Sequence, residues 1–297
     1  MKRVIRFGSR KSLLAVAQTN ILINILKSSH PELDAELVTM ETTGDRNMKP
    51  FSEASDKFGI KGLFTQELEE ALRDGRIDIA VHSLKDMPML CGGDLPIVAM
   101  AKRGDPEDAL VIPRDCTEAP EGSIGCSSSR RRLQISKIFP NRSVEPVRGN
   151  VITRLRKLDE HGYAMLVLAA AGLKRIDLEG RIQRRLSVDE MVPAPGQGVL
   201  ACQGREGEDY SYLDALRDSE TEICANCERA FSAALGGGCT SPVGAYAELT
   251  GDKILLRGFY ADEEKGIFEK GTMSGSVRDA REIAARLAEK LSKGGVL

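Results

Sequence analysis

Residues 77–88 read IDIAVHSLKDMP, and this stretch decides the fold class. The run IDIAVHS is short, apolar and β-rich, as a buried strand requires. It passes straight into LKDMP, so Lys85 and Asp86 fall at or just beyond the strand's carboxyl end. In open parallel sheets that edge is where ligands bind. Pro88 stops the strand and sets Asp86 in a fixed turn, although an aspartate bonding its own backbone is an equally ordinary reason for one there. Working outward, VIRFGS (4–9), SLLAVAQTNILINILKSS (12–29), AELVTMETT (35–43) and LFTQELEEALRDG (63–75) alternate strand-like and helix-like patterns. That alternation signals βαβ units and a mostly parallel sheet. In the last segment Leu63, Phe64, Leu68, Ala71 and Leu72 share one helical stripe, and Gly75 stands where a C-terminal cap falls.

A second α/β stretch begins near Asp105 with DALVI, SIGC, the helix SSRRRLQISKIF (128–139), SVEPV, the helix NVITRLRKLDEHG (150–162) and the buried strand AMLVLAA. Asn150 is a good N-cap for the second helix, and Gly162 follows its end. Two similar lobes in tandem imply a cleft between them. After VLACQGR (199–205) the style changes: a helix, ICANCERAFSAAL, three hairpin-like strands and a final helix, VRDAREIAARLAEKL, spell a small α+β domain. The expected boundaries are 1–100 with 199–217 for the first domain, 104–194 for the second and 220–297 for the third. Between Asp45 and Gly62 the text RNMKPFSEASDKFGIK shows neither helical nor strand period. It reads as a loop, either a lid or a disordered insertion.

The 297 residues are 41% apolar with a net charge of −2 and no apolar run long enough for a signal peptide or a membrane span. A cytoplasmic protein with no membrane partner is expected. Seven cysteines are an odd number for a disulfide framework, so reduced thiols are expected. Charge is nevertheless uneven: nine basic residues between Arg130 and Lys157 face one acid, Glu145. A local anion site and a solvated helix face both account for that run. Arg10 follows the first strand in FGSRKS, where Ser12 is placed to cap a helix; GCSSSRRR, and RGNVITRL with Arg148 and Arg154, repeat the arrangement. The arginine fork suits carboxylates, and several converging forks imply a ligand with several of them. Aromatic residues are only 4% of the chain, so stacking platforms for nucleic acid are missing.

In GGGCTSPVG, Cys239 follows three glycines on a loop before the third domain's first strand. A bare backbone admits a bulky group, though a lone cysteine is by default a small buried hydrophobe. Cys224 and Cys227 form a CxxC pair, but His30, His82 and His161 are not at ligand spacing, and no metal is expected. Two packed thiols on one helical turn are the simpler account.

Together these segments resemble the porphobilinogen deaminase (hydroxymethylbilane synthase) family along nearly the whole chain. RFGSRKSLLAVAQ, DKFGIKGLFTQELEEAL, DIAVHSLKDMP, SSSRRRLQ, VRGNVITRL, LAAAGLKR, PAPGQG and GGGCTSPVGAYA each look like a family block, with VHSLKDMP and RGNVITRL the most specific. The resemblance implies two doubly wound lobes similar to periplasmic binding proteins plus a small α+β C-terminal domain, with an active cleft between the lobes. It implies a transferase of tetrapyrrole biosynthesis, acting as a monomer, that joins four porphobilinogen units with loss of ammonia and releases hydroxymethylbilane. A dipyrromethane cofactor is implied on Cys239 through a thioether. Asp86 is implied as the catalytic carboxylate; Lys85, Ser128, Arg130 and Arg131, with Asp86, as cofactor-binding. Arg10, Ser12, Arg148, Arg154, Arg175 and Gln197 are implied as substrate-binding, with Lys57 and Lys61 on the lid stretch. Leu13, Ser129, Pro195 and Gln203 depart from the usual family text without removing a named chemical role. The rival from another class is a two-lobed binding protein or sensor for a dicarboxylate; a nucleic-acid-binding module is the weaker one.

Overall fold

The computed structural model describes residues 4–42, 65–89, 92–237 and 241–295; the expectations for Lys57, Lys61, Cys239, Leu63 and Phe64 lie outside these. In chain order the first strands are β1 (Val4–Arg10), β2 (Asp34–Met40), β3 (Ile79–Ser83), β4 (Ile97–Met100) and β5 (Asp108–Val111). They are followed by β6 (Ile124–Gly125), β7 (Val144–Glu145), β8 (Met165–Ala169), β9 (Arg184–Leu186) and β10 (Leu200–Gln203). The last three are β11 (Val243–Thr250), β12 (Lys253–Asp262) and β13 (Ile267–Ser276). The α-helices are α1 (Leu13–Ser29), α2 (Gln66–Arg73), α3 (Ser129–Ile138), α4 (Val151–Asp159), α5 (Ala170–Lys174), α6 (Ser219–Ala234) and α7 (Ala280–Ser292). They fall into two compact units, Met1–Arg103 with Val199–Glu222, and Gly104–Gly198 with Ile223–Leu297.

The first unit carries a five-stranded sheet in the order β2-β1-β3-β10-β4. β1 runs parallel to β2 and β3, while β10 is antiparallel to both its neighbours. Period-two alternation sends Ile5, Phe7, Ile79 and Val81 to one face, against Leu22 and Leu26 of α1. The other face takes Leu68, Ala71 and Leu72 of α2 against Ile77 and Ala80, each large buried aliphatic contributing roughly 1.5–3 kcal/mol. Gly8 permits that second layer: a Cβ there would come within 2.3 Å of the Ile77 Cδ1. Gly75 closes α2 at φ +65°, as its position in the sequence predicts.

In the second unit the sheet order is β7-β6-β8-β5-β9. β6 is parallel to β7 and β8, and β5 is antiparallel to β8 and β9. Both lobes therefore repeat one plan, a parallel trio followed by a reversed strand. The same unit contains an antiparallel β11-β12-β13 sheet. One face of that sheet buries Ala245, Ala247, Ile254 and Leu256 against Phe231 of α6 and Ile283, Leu287 and Leu291 of α7. Cys224 and Cys227 belong to this core, and burial pushes the Cys227 thiol up to about 12, so the CxxC pair is packing. The five described cysteines are all free thiols. No helix among the described residues is long and apolar enough to cross a membrane.

Candidate active site

In the first unit, β1 and β3 are parallel neighbours, so Arg10 and the segment after Ser83 emerge at the same, carboxyl, edge of the sheet. Ser12 caps α1, its Oγ accepting from the Ala15 amide at 3.3 Å. Leu84–Asp86 form a single 3-10 turn. The turn is fixed on both sides: Leu84 and Met87 are fully buried, and the Leu84 amide donates to the Val199 carbonyl at 3.0 Å. Lys85 is half-buried between them and Asp86 is exposed. The carboxylate thus stands on a rigid base at the carboxyl edge of the sheet. Beneath it, buried His82 pairs through Nε2 with the Gln203 Oε1 at 3.1 Å. Burial lowers the imidazole to about 4, so the ring is neutral at pH 7.

In the second unit, Ser128 caps α3, its Oγ accepting from the Arg131 amide at 3.5 Å. This cap places Arg130 and Arg131 in the first helical turn, where both side chains run inward and are 3% and 8% exposed. They meet a carboxylate that sequence reading does not single out. Asp108, fully buried at the start of β5, accepts from Arg130 Nη1 at 2.8 Å through Oδ2. Its Oδ1 accepts from Arg131 Nε at 3.0 Å, Arg131 Nη2 at 2.7 Å and Gln197 Nε2 at 2.9 Å. Burial alone would push the Asp108 carboxyl up; the charges and hydrogen bonds of the two arginines overcome it and hold it well below the usual carboxylate range. Two buried cations thus share this one buried carboxylate.

Gln197 is fixed a second time, through Nε2 to the Pro106 carbonyl at 2.8 Å. One residue beyond it, the Gly198 carbonyl accepts from Arg175 Nη2 at 2.5 Å. Arg175 has no carboxylate partner among the described residues, and burial pushes it down to about 10, still a cation at neutral pH. Arg154 holds the bend before α4 through Nε to the Gly149 carbonyl at 2.8 Å, and Lys157 Nζ donates to the Arg148 carbonyl at 3.2 Å. The structure therefore gathers Arg130, Arg131 and Gln197 around Asp108, with Ser128 capping the helix that carries the two arginines and Arg175 beside the Gln197 segment, and sets Arg148 and Arg154 at the turn before α4. Arg130 and Arg131 are not simply forks presented to a ligand: each spends part of its donor set on Asp108. Arg130 Nε, buried, has no hydrogen-bond partner among the described residues.

A second unanticipated carboxylate, Glu228 on α6, is fully buried and accepts from the Gly196 amide at 2.7 Å and the Ala247 amide at 2.8 Å. Both acids left a trace in the sequence. Asp108 heads the otherwise apolar strand DALVI, and Glu228 sits on the same helical stripe as Cys224 and Phe231.

A family model described as "Porphobilinogen deaminase, dipyromethane cofactor binding domain" matches residues 5–212, and one for the family's C-terminal domain matches 222–293. A porphobilinogen deaminase of Acetivibrio thermocellus is 50% identical over 291 residues, 98% of each chain. One of Alkaliphilus oremlandii is 47% identical over 286 residues, 96% of this chain and 95% of that one. Among solved structures, the periplasmic aliphatic sulphonate binding protein SsuA of Escherichia coli aligns with 77% of this chain and 69% of its own at 10% identity and a TM-score of 0.41.

Proposed function

Since the chain belongs to the porphobilinogen deaminase family, we propose that Asp86 is its reacting acid and that a set of arginines holds the carboxylates of its ligands. The enzyme is a transferase of tetrapyrrole biosynthesis that condenses four porphobilinogen molecules and releases hydroxymethylbilane. It uses a dipyrromethane cofactor, which supplies, when bound, the terminal pyrrole carbon that the first substrate joins. In our reading Cys239 tethers that group by a thioether.

The donor set suits such a group. Pyrrole rings bearing acetate and propionate arms are polyanions, and a polyanion is matched by clustered guanidinium groups. The observation that carries the proposal is the Arg130–Asp108–Arg131 cluster, in which two buried guanidinium groups converge on one fully buried carboxylate. Arg175, half-buried and without a carboxylate of its own among the described residues, adds a further cation. Arg10, Ser12, Arg148, Arg154 and Gln197 are assigned to the carboxylates of substrate and product, and Lys85, Ser128, Arg130 and Arg131 to those of the cofactor. Lys57 and Lys61 are assigned to the covering loop.

Asp86 is assigned the reacting role. Loss of ammonia from porphobilinogen leaves an azafulvenium cation, and a fixed, exposed carboxylate stabilises that charge as it develops. The same oxygen accepts and returns the protons that each condensation displaces, which arginine, protonated at all working pH values, does not do. His82 behind the turn stays uncharged and adds no competing positive field. The proposal also places the protein in the cytoplasm as a monomer without nucleic-acid or membrane partners, which the net charge of −2 and the free thiols support.

The test is the intact mass of the purified protein with a product assay. The expected mass exceeds the sequence mass by one dipyrromethane, the adduct disappears in Cys239→Ala, and the wild type converts porphobilinogen to hydroxymethylbilane. An unmodified mass in protein that binds porphobilinogen without converting it would establish the two-lobed binding protein instead.

A further inference from the structure

We propose that Asp115, Cys116 and His161 form a binding site for a divalent transition metal of the zinc class, separate from the residues assigned to tetrapyrrole chemistry. One carboxylate oxygen, one thiol sulfur and one imidazole nitrogen lie within 4.8 Å of one another. The Asp115 Oδ2 is 3.2 Å from His161 Nε2, and its Oδ1 is 3.7 Å from Cys116 Sγ. Sequence reading passes over this set because His161 is 46 positions from Asp115, far from the short spacings by which zinc sites are recognised in a sequence.

The fold holds the two segments together by contacts that do not use the three side chains. The Arg114 amide donates to the Asp159 Oδ1 at 3.1 Å, and Arg181 grips the same carboxylate through Nη1 at 3.1 Å and Nη2 at 2.6 Å. The Cys116 amide closes a turn onto the Pro113 carbonyl at 3.2 Å. At the end of α4 the residue that enters the left-handed region is His161, at φ +56°, and not the glycine that follows it. The amides of His161 and Gly162 donate to Leu158 and Lys157, so this conformation fixes where the imidazole leaves the backbone.

Thiol, imidazole and carboxylate together select a borderline-soft ion over magnesium or calcium, which take oxygen sets. Three protein donors leave the fourth tetrahedral position to water. Binding exchanges the thiol proton for the ion, and the carboxylate that accepts from the thiol and the imidazole becomes a ligand beside them.

The experiment is a Co²⁺ titration of the full-length protein carrying its cofactor, followed by absorbance and then by Zn²⁺ back-titration. One equivalent is expected to give a thiolate-to-cobalt charge-transfer band in the near ultraviolet with tetrahedral visible bands, which Zn²⁺ erases. Cys116→Ser is expected to abolish the charge-transfer band. His161→Asn, chosen because asparagine tolerates φ > 0, is expected to weaken binding at least tenfold. Both variants are expected to keep wild-type turnover, showing that they are folded. Absence of the band, its persistence in Cys116→Ser, or unchanged affinity in His161→Asn would each overturn the site.

Discussion

Replacing Asp108 by asparagine conserves shape and removes one charge, which makes it the sharpest probe of the buried cluster. The carboxylate receives four donors on two oxygens, three of them on Oδ1. An asparagine that keeps its carbonyl oxygen toward Arg131 and Gln197 turns its NH2 toward Arg130 Nη1, at a site where the native separation is 2.8 Å. Donor then faces donor. Arg130 keeps only the Val192 carbonyl at 2.8 Å through that nitrogen, and both buried guanidinium groups lose the carboxylate that they share. Breaking a buried pair by removing one partner costs about 3–5 kcal/mol, and the loss is expected as a lowered midpoint in urea denaturation of the purified protein. The native carboxyl is held well below its unfolded value by the arginines against burial. Its contribution is therefore complete above about pH 4, is lost as the pH falls below that, and should be missing from the acid limb of the variant's stability profile. Adding Arg130→Met to Asp108→Asn removes the stranded cation and should recover more than about 1 kcal/mol, a coupling that independent sites do not show. A single variant within about 1 kcal/mol of the wild type, or a double variant that is simply additive, would refute the reasoning.

Asp86→Asn should leave the fold intact, since the turn rests on Leu84 and Met87, yet lower turnover by about 100-fold or more, the usual scale of a lost acid–base group; near-native hydroxymethylbilane production would remove Asp86 from the reaction. Arg175→Met should reduce kcat/KM for porphobilinogen by about 10- to 100-fold, the equivalent of one charge-assisted hydrogen bond, and an unchanged value would mean that Arg175 serves the Gly198 carbonyl alone. For His82 the folded value is lowered to about 4 from 6.5, so the unfolded chain binds the extra proton between those limits. Stability should be level above pH 6.5, fall by roughly 3 kcal/mol as the pH drops to about 4, and level again below; His82→Gln should remove that slope, and an identical slope would assign it to other groups.

What the sequence made legible was whatever is decided locally. Ser12, Ser128 and Asn150 cap α1, α3 and α4 as their positions predict, because a cap depends on an oxygen and an amide three residues away. The turn after β3 was readable for the same reason. Asp108 and Glu228 were not, because their partners lie far along the chain: Gln197 is 89 positions from Asp108, and Gly196 is 32 from Glu228. A buried acid becomes interpretable only when the topology supplies its cations or amides. The arginine-rich run was half legible: composition left a local anion site and a solvated helix face both open, and the commitment of Arg130 and Arg131 to an internal carboxylate was visible in neither. Gly162 follows the end of α4 as its position predicts, and the residue that enters the left-handed region is the preceding His161.

These long-range carboxylates explain how a mostly irregular segment, residues 192–198, is given a fixed course. On one side Gln134 holds Val192 by two hydrogen bonds, and Asp108 holds Gln197. On the other, the Ala245 amide donates to the Pro193 carbonyl at 2.9 Å, and Glu228 takes the Gly196 amide. Gly244 is required at that approach, because a Cβ there would lie 2.8 Å from the Val192 carbonyl oxygen. The same Glu228 joins α6 to β11 through the Ala247 amide. Cys239 falls in the sequence between that helix and that strand. The chain that bears it thus departs from and returns to two elements pinned to the segment carrying Gln197. With the tether proposed at Cys239, the bound group and the arginines placed by Asp108 would be referred to one common frame, set by two buried acids whose partners appear only when the chain is folded.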